Sequence, residues 1–99
     1  MDRVDFLERR FIKDPSMVFR KIADECLLVP IRQNVADMES IYVLNEVGGR
    51  VWELVDGQKT VQGIRDVIVS EFDVSPQQAE ADVREFVQKL RDIGGVKAV

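Results

Sequence analysis

Residues 44–61 read "LNEVGGRVWELVDGQKTV", and the fold turns on how this stretch is parsed. Asn45 is a good helix N-cap, because its side-chain oxygen can accept from a backbone N–H that the first turn leaves unpaired. Leu44, Val47, Gly48, Val51 and Val55 then recur at the three-and-four spacing of one helical face, which Trp52 and Leu54 widen. Gly57, just after Asp56, is a C-terminal stop. Two adjacent glycines are unusual inside such a helix. Gly48 falls on the apolar stripe, where a missing side chain permits close backbone approach. Gly49 is expected to point away from the stripe, and the pattern supplies no reason for it. No residue of the stretch is suited to catalysis.

Downstream, Thr60 caps a second helix with Val61, Ile64, Val67, Ile68 and Phe72 on its apolar side. "SPQQ" (75–78) starts a third: Ser75 is the N-cap, Pro76 takes the first helical position and Gln78 completes a capping box. Ala79, Val83, Phe86, Leu90 and Ile93 form its stripe, with Val87 at the margin; Gly94-Gly95 ends it, and "VKAV" (96–99) reads as a short extended tail. Upstream, "MVFRKI" (17–22) and "ECLLVPIR" (25–32) form a β-hairpin about Ala23-Asp24. Pro30 lacks a donor, so the second strand is either bulged there or loses its pairing near Val29. "SIYVL" (40–44) is a third strand after a polar connection. Three antiparallel strands followed by three helices make an α+β domain of winged helix-turn-helix type. Residues 1–14 are an arm in front of a domain spanning 15–97. Val4, Leu7 and Phe11 line one side of a short helix there. The arm either docks elsewhere or covers the core edge.

Composition excludes several functions. The 99 residues suffice for one domain, and no apolar run approaches the ~20 residues needed to cross a bilayer. The charged start "MDRVDFLERR" has no apolar core of a secretory signal, so a cytoplasmic location is expected. Histidine is absent and Cys26 is the single cysteine. That removes the commonest general base, the usual zinc sets and any internal disulfide, so no enzyme, cofactor or metal is expected. Cys26 reads as a small buried hydrophobe. Residues 1–34 carry a net charge of +1 and residues 35–99 a net of −5, a poor match to nucleic acid.

The segments "LNEVGGRVWELVDGQKTVQGI" and "SEFDVSPQQAEADVREFVQKLRDIGGV" resemble the PqqD family over about residues 15–97. That family's pattern runs Leu-Asn-Glu-Thr-Gly-Ala, then an aliphatic, Trp, Glu, Leu, and Asp-Gly before a Thr-capped helix. Leu44, Asn45, Glu46, Gly48, Val51 and Trp52 match, as do Glu53, Leu54, Asp56, Gly57 and Thr60. Val47 replaces Thr and Gly49 replaces Ala, the latter weakening the helix by up to ~1 kcal/mol.

The resemblance implies a RiPP recognition element, a module that captures the leader segment of a ribosomally made precursor peptide and presents it to a modifying enzyme. In the founding case that enzyme is a radical SAM protein of pyrroloquinoline quinone synthesis. The implied mode is strand addition at the third strand, in a groove beside the third helix. Carried over to this chain, the peptide-binding edge is Ser40, Ile41, Tyr42 and Val43. Alternation turns Tyr42 and Leu44 to the core and leaves Ile41 and Val43 for a partner. From the third helix the site takes Val83, Val87 and Leu90, with Arg84 and Arg91 on one flank for acidic peptide residues. Phe86 and Leu90 read more simply as core, and Val87 as the better groove residue. The expected partners are a leader peptide and a radical SAM or other modifying enzyme, without nucleic acid or membrane; the protein itself is a monomer or a dimer.

Two other functions fit parts of the pattern: a winged-helix DNA binder and a protein adaptor without a peptide ligand. The third helix carries Arg84, Lys89 and Arg91 against Glu80, Asp82, Glu85 and Asp92, which disfavours a duplex. In a gel shift at physiological salt, random duplex is expected to remain unbound; tight binding would remove the peptide-module reading.

Overall fold

The computed structural model describes residues 3–31 and 41–99. In chain order the elements are helix α1 (Arg3–Leu7), strands β1 (Phe11–Lys13), β2 (Met17–Ile22), β3 (Glu25–Pro30) and β4 (Tyr42–Leu44), helices α2 (Glu46–Leu54), α3 (Val61–Glu71) and α4 (Pro76–Asp92), and strand β5 (Val96–Ala98). The fold is α+β. Its main sheet is antiparallel in the order β2-β3-β4, and a second, two-stranded sheet pairs β1 with β5.

All three expected helix caps are present: Asn45 accepts from the Gly48 N–H, Thr60 from the Gly63 N–H and Ser75 from the Gln78 N–H. Each satisfies a donor that the first turn leaves unpaired. The Gln78 amide, expected to reach back to Ser75, is turned forward along the helix and donates to Asp82 at 2.8 Å. Between α2 and α3 the chain turns over Asp56. Its carboxylate accepts from the Lys59 N–H, the Lys59 ammonium and the Gln58 N–H at 2.8–3.0 Å. These donors, Lys59 foremost, hold the Asp56 carboxyl well below the usual carboxylate range. Arg50 forks onto Glu71 with two 2.8 Å bonds, tying α2 to the end of α3.

Residues 1–14 were expected to form an arm with Val4, Leu7 and Phe11 on one helical side. Within the described part the helix stops at Leu7, Phe11 stands on β1 and Val4 is exposed. Phe6, Leu7 and Phe11 are buried in the core, with the Phe6 and Phe11 rings 5.9 Å apart. The expected tail 96–99 is strand β5, whose register sets Phe11 opposite Ala98 and Lys13 opposite Val96. The sequence hides this pairing because its two strands are three residues each and 83 positions apart. Lys13 also lies over the buried Trp52 ring, 5.5 Å from its centroid.

The hairpin turns over Ala23 and Asp24, with Ala23 at φ 55°. Its register runs unbroken from Ile22↔Glu25 to Met17↔Pro30, so Pro30 needs no bulge and pairing extends past Val29. Ladder alternation explains the tolerance. The Ile31 N–H donates to the Ser16 carbonyl, so the odd positions of β3 bond to β2 and the even positions face β4. Pro30 is even, and its missing donor does not interrupt the β2 ladder.

The two glycines of α2 correct the sequence reading. Both are buried. A Cβ at Gly48 would stand 3.3 Å from the Phe86 ring and 3.2 Å from Asn45 Oδ1. A Cβ at Gly49, expected to point away, would stand 2.6 Å from Cys26 Sγ and 3.1 Å from Cys26 Cβ. Gly49 is where α2 crosses β3, and Cys26 fills the space its side chain would need. Helical propensity favours Gly49→Ala by ~1 kcal/mol, whereas overpacking typically costs ~1–3 kcal/mol. Gly49→Ala is therefore expected to lower unfolding free energy by about 1 kcal/mol in urea titrations, and by less in a Cys26→Ala background. Equal losses in both backgrounds would separate Gly49 from Cys26.

Candidate functional site

Among the described residues β4 is an edge strand: it pairs with β3 through Tyr42↔Leu28, Val43↔Leu27 and Leu44↔Cys26. Leu28 and Cys26 are the even β3 positions that turn their main-chain groups toward β4. Tyr42 and Leu44 are thus the bonded partners, and the Val43 N–H and C=O face the open side. The side chains alternate as expected: Tyr42 and Leu44 pack against the core, and Val43 is exposed.

A groove of about 550 Å³ runs along this edge. One wall is 41–44 with Asn45 and Gly48; the other is α4, through Phe86, Lys89, Leu90, Asp92 and Ile93. Its floor and walls are mostly apolar. Lys89 and Asp92 place one charge of each sign at the rim, and Lys89 is paired with Glu85 at 3.1 Å. A smaller cavity of about 210 Å³ continues past Gly48 between α2 and α4, sharing Asn45, Phe86 and Lys89. An open strand edge beside an apolar trough accepts an extended backbone: the edge offers a donor and an acceptor at Val43, and the trough takes alternate side chains.

The expected site residues divide. Ile41, Tyr42, Val43 and Leu90 all line the groove, and Ser40 lies outside the described residues. Val83 and Val87 do not reach it; both are fully buried with Ala79 and Leu90 on the inner face of α4. At 100° per residue, Phe86 and Ile93 fall on one flank of that face and Arg84, Gln88 and Arg91 on the other. The groove is on the Phe86 flank, so Arg84 and Arg91 stand on the side away from it. The sequence reading had the Phe86 and Val87 roles reversed. The stripe has two apolar margins, and only the position of β4 decides which of them is covered. Phe86, Lys89, Asp92 and Ile93 were missed as lining residues; their i, i+3, i+6, i+7 spacing on one flank was the available signal. Asn45 and Gly48 were missed because capping and close packing already accounted for them.

Behind α2, Cys26 lines a cavity of about 250 Å³ with Phe19, Gly49 and Phe72. Among the described residues, no three His, Cys, Asp or Glu side chains gather as a metal site, and no helix is long and apolar enough to cross a membrane.

Residues 28–96 match the family described as coenzyme PQQ synthesis protein D. The chain belongs to the PqqD family. The match begins in β3 and ends at the first residue of β5, so it spans both walls of the groove. Comparison with curated proteins returns no match. Three solved structures share the PqqD-like fold of this chain. TbiB1 in complex with the TbiA(beta) leader peptide is 26% identical, with a TM-score of 0.70 over 87% of this chain and 94% of that one. Lasso peptide synthetase B1 complexed with the leader peptide is 17% identical, with a TM-score of 0.72 over 89% and 98%. The heterocyclase TruD is 12% identical, with a TM-score of 0.59 over 92% of this chain and 12% of that one.

The ladder alternation makes a direct prediction about this PqqD-family edge. Val43→Pro removes an outward donor, and Leu44→Pro removes one bonded to β3. Leu44→Pro is expected to destabilise by at least ~1 kcal/mol more than Val43→Pro, the net worth of a lost ladder bond. Urea unfolding of the two variants measures the difference. The opposite order would show that the alternation is reversed.

Proposed function

We propose that this chain is a RiPP recognition element: a cytoplasmic, non-catalytic module that binds the leader segment of a ribosomally made precursor peptide as a fourth strand on β4. The observation that carries this reading is the coincidence of the outward main-chain groups of Val43 with the apolar groove between β4 and α4. Family membership supports it. So does the likeness to TbiB1, which was solved with a leader peptide.

Main-chain bonds at Val43 supply affinity that tolerates sequence. Side chains of the added strand select, because every second one enters the trough against Phe86, Leu90 and Ile93. The opposite edge of the sheet, β2, is a poorer acceptor, since Arg20, Lys21 and Ile22 leave its far half exposed and charged. The bound leader then brings the rest of the precursor to its modifying enzyme. A radical SAM enzyme is the proposed partner, and pyrroloquinoline quinone synthesis a candidate pathway; both rest on the family resemblance. Co-elution of the chain, the precursor and such an enzyme would support that assignment.

Titration of an isotope-labelled sample with the leader peptide encoded nearby tests the central claim. Amides of Tyr42–Leu44, Gly48 and the 86–93 turns of α4 are expected to shift. Val43→Pro is expected to weaken binding about tenfold, since a bound carbonyl loses its donor, and Phe86→Ala by a similar factor. Circular dichroism checks that both variants fold. Shifts confined to residues 1–14, or unchanged affinity in folded Val43→Pro, would sink the proposal.

A further inference from the structure

An antiparallel sheet with one face toward water normally alternates apolar inside and polar outside. The β2–β3–β4 sheet does not. Its inner positions, Met17, Phe19, Cys26, Leu28, Tyr42 and Leu44, are buried or packed on the core. Its outer positions are also mostly apolar: Val18 pairs with Val29 and Leu27 with Val43, with Arg20 and Glu25 the charged exceptions. Among the described residues six large apolar side chains are exposed. Two of these, Val4 and Val99, are near the chain ends. The other four continue the outer alternation of this sheet: Ile22 (60%), Ile31 (59%), Ile41 (56%) and Val43 (65%). A contiguous apolar face of this kind marks an interaction surface.

We propose that this outer face is the docking surface for the enzyme that modifies the bound peptide. This rests on the leader-binding reading above. The size of the face argues against a second copy. Two six-residue strands and the three-residue β4, about 4.8 Å apart, cover roughly 240 Å², well short of the ~800 Å² per partner of a stable interface. A small contact suffices for a partner that also holds the far end of the same peptide, because the second contact is then intramolecular. The face is continuous with the peptide edge through Val43. A strand added there turns alternate side chains outward beside Val43 and widens the face by about 4.8 Å. The enzyme therefore meets a larger surface on the loaded module than on the empty one. By linkage, it tightens leader binding by the same factor by which the leader tightens its own.

The test uses the full chain, the leader peptide encoded nearby and the modifying enzyme encoded with it. Val18→Lys and Val29→Lys place charges on the outer face away from the groove. Each is expected to bind the leader within about twofold of the wild type and the enzyme at least tenfold more weakly. In the wild type, methyl signals of Val18, Leu27, Val29 and Ile31 are expected to broaden on adding enzyme, which keeps the test valid if a variant misfolds. Unchanged enzyme affinity in both folded variants, or unperturbed methyls, overturns the docking face. So does a wild-type dimer in solution that either substitution dissolves, since a second copy then covers the face. Failure of the wild type to bind the leader is a separate outcome and overturns the proposed function instead.

Discussion

Helix α2 has no side chain at two consecutive positions, and a neighbour occupies the space at each. Cys26 of β3 lies against Gly49 on one side, and Phe86 of α4 lies against Gly48 on the other. The helix backbone is thereby clamped between the sheet and the longest helix. That close approach sets how far α4 stands from β4, and this separation is the width of the groove. Glycine weakens a helix by up to ~1 kcal/mol per position relative to alanine. Here the tertiary contacts that glycine admits offset that loss.

The open edge is a second constraint, and it follows from the first hydrogen bond of the hairpin. The Ile31-to-Ser16 bond sets the phase of the β2–β3 ladder; the β3–β4 register carries that phase across the sheet, and Val43 is left facing outward. The same phase makes Pro30 harmless. A shift of one residue would turn Val43 inward, expose Tyr42 and Leu44, and empty the groove of its floor. An exposed edge is ordinarily a liability for aggregation. Here α4 walls it, so a partner must fit a trough as well as pair with a strand.

The charged contacts have a smaller role. Arg50–Glu71, Lys59–Asp56 and Lys89–Glu85 are all on the surface, where ion pairs contribute little to stability. Their use is geometric: they orient the α2–α3 turn and the rim of the groove. The core is apolar and continuous, and it takes in Phe6, Leu7 and Phe11 from the start of the chain and Val96 from its end. The β1–β5 pair brings both ends of the chain onto the same core.

The sequence by itself determined the local structure. Caps at Asn45, Thr60 and Ser75, the 3.6-residue stripes behind them and the alternation of β2, β3 and β4 are readable because each signal lies within a few residues of the element it defines. The third strand was legible for the same reason, whereas the choice of Ile41, Tyr42 and Val43 as the binding edge came from the resemblance to the PqqD family. Only the tertiary structure decided three other points: the β1–β5 pairing, the partner of Gly49, and which margin of α4 borders the groove. Each is a contact between segments distant in the chain, and periodicity carries no information about which element covers a given flank. Phe86, read on the stripe, and Val87, read at its margin, are adjacent apolar residues, and it is the position of β4 that makes the first a groove wall and the second core.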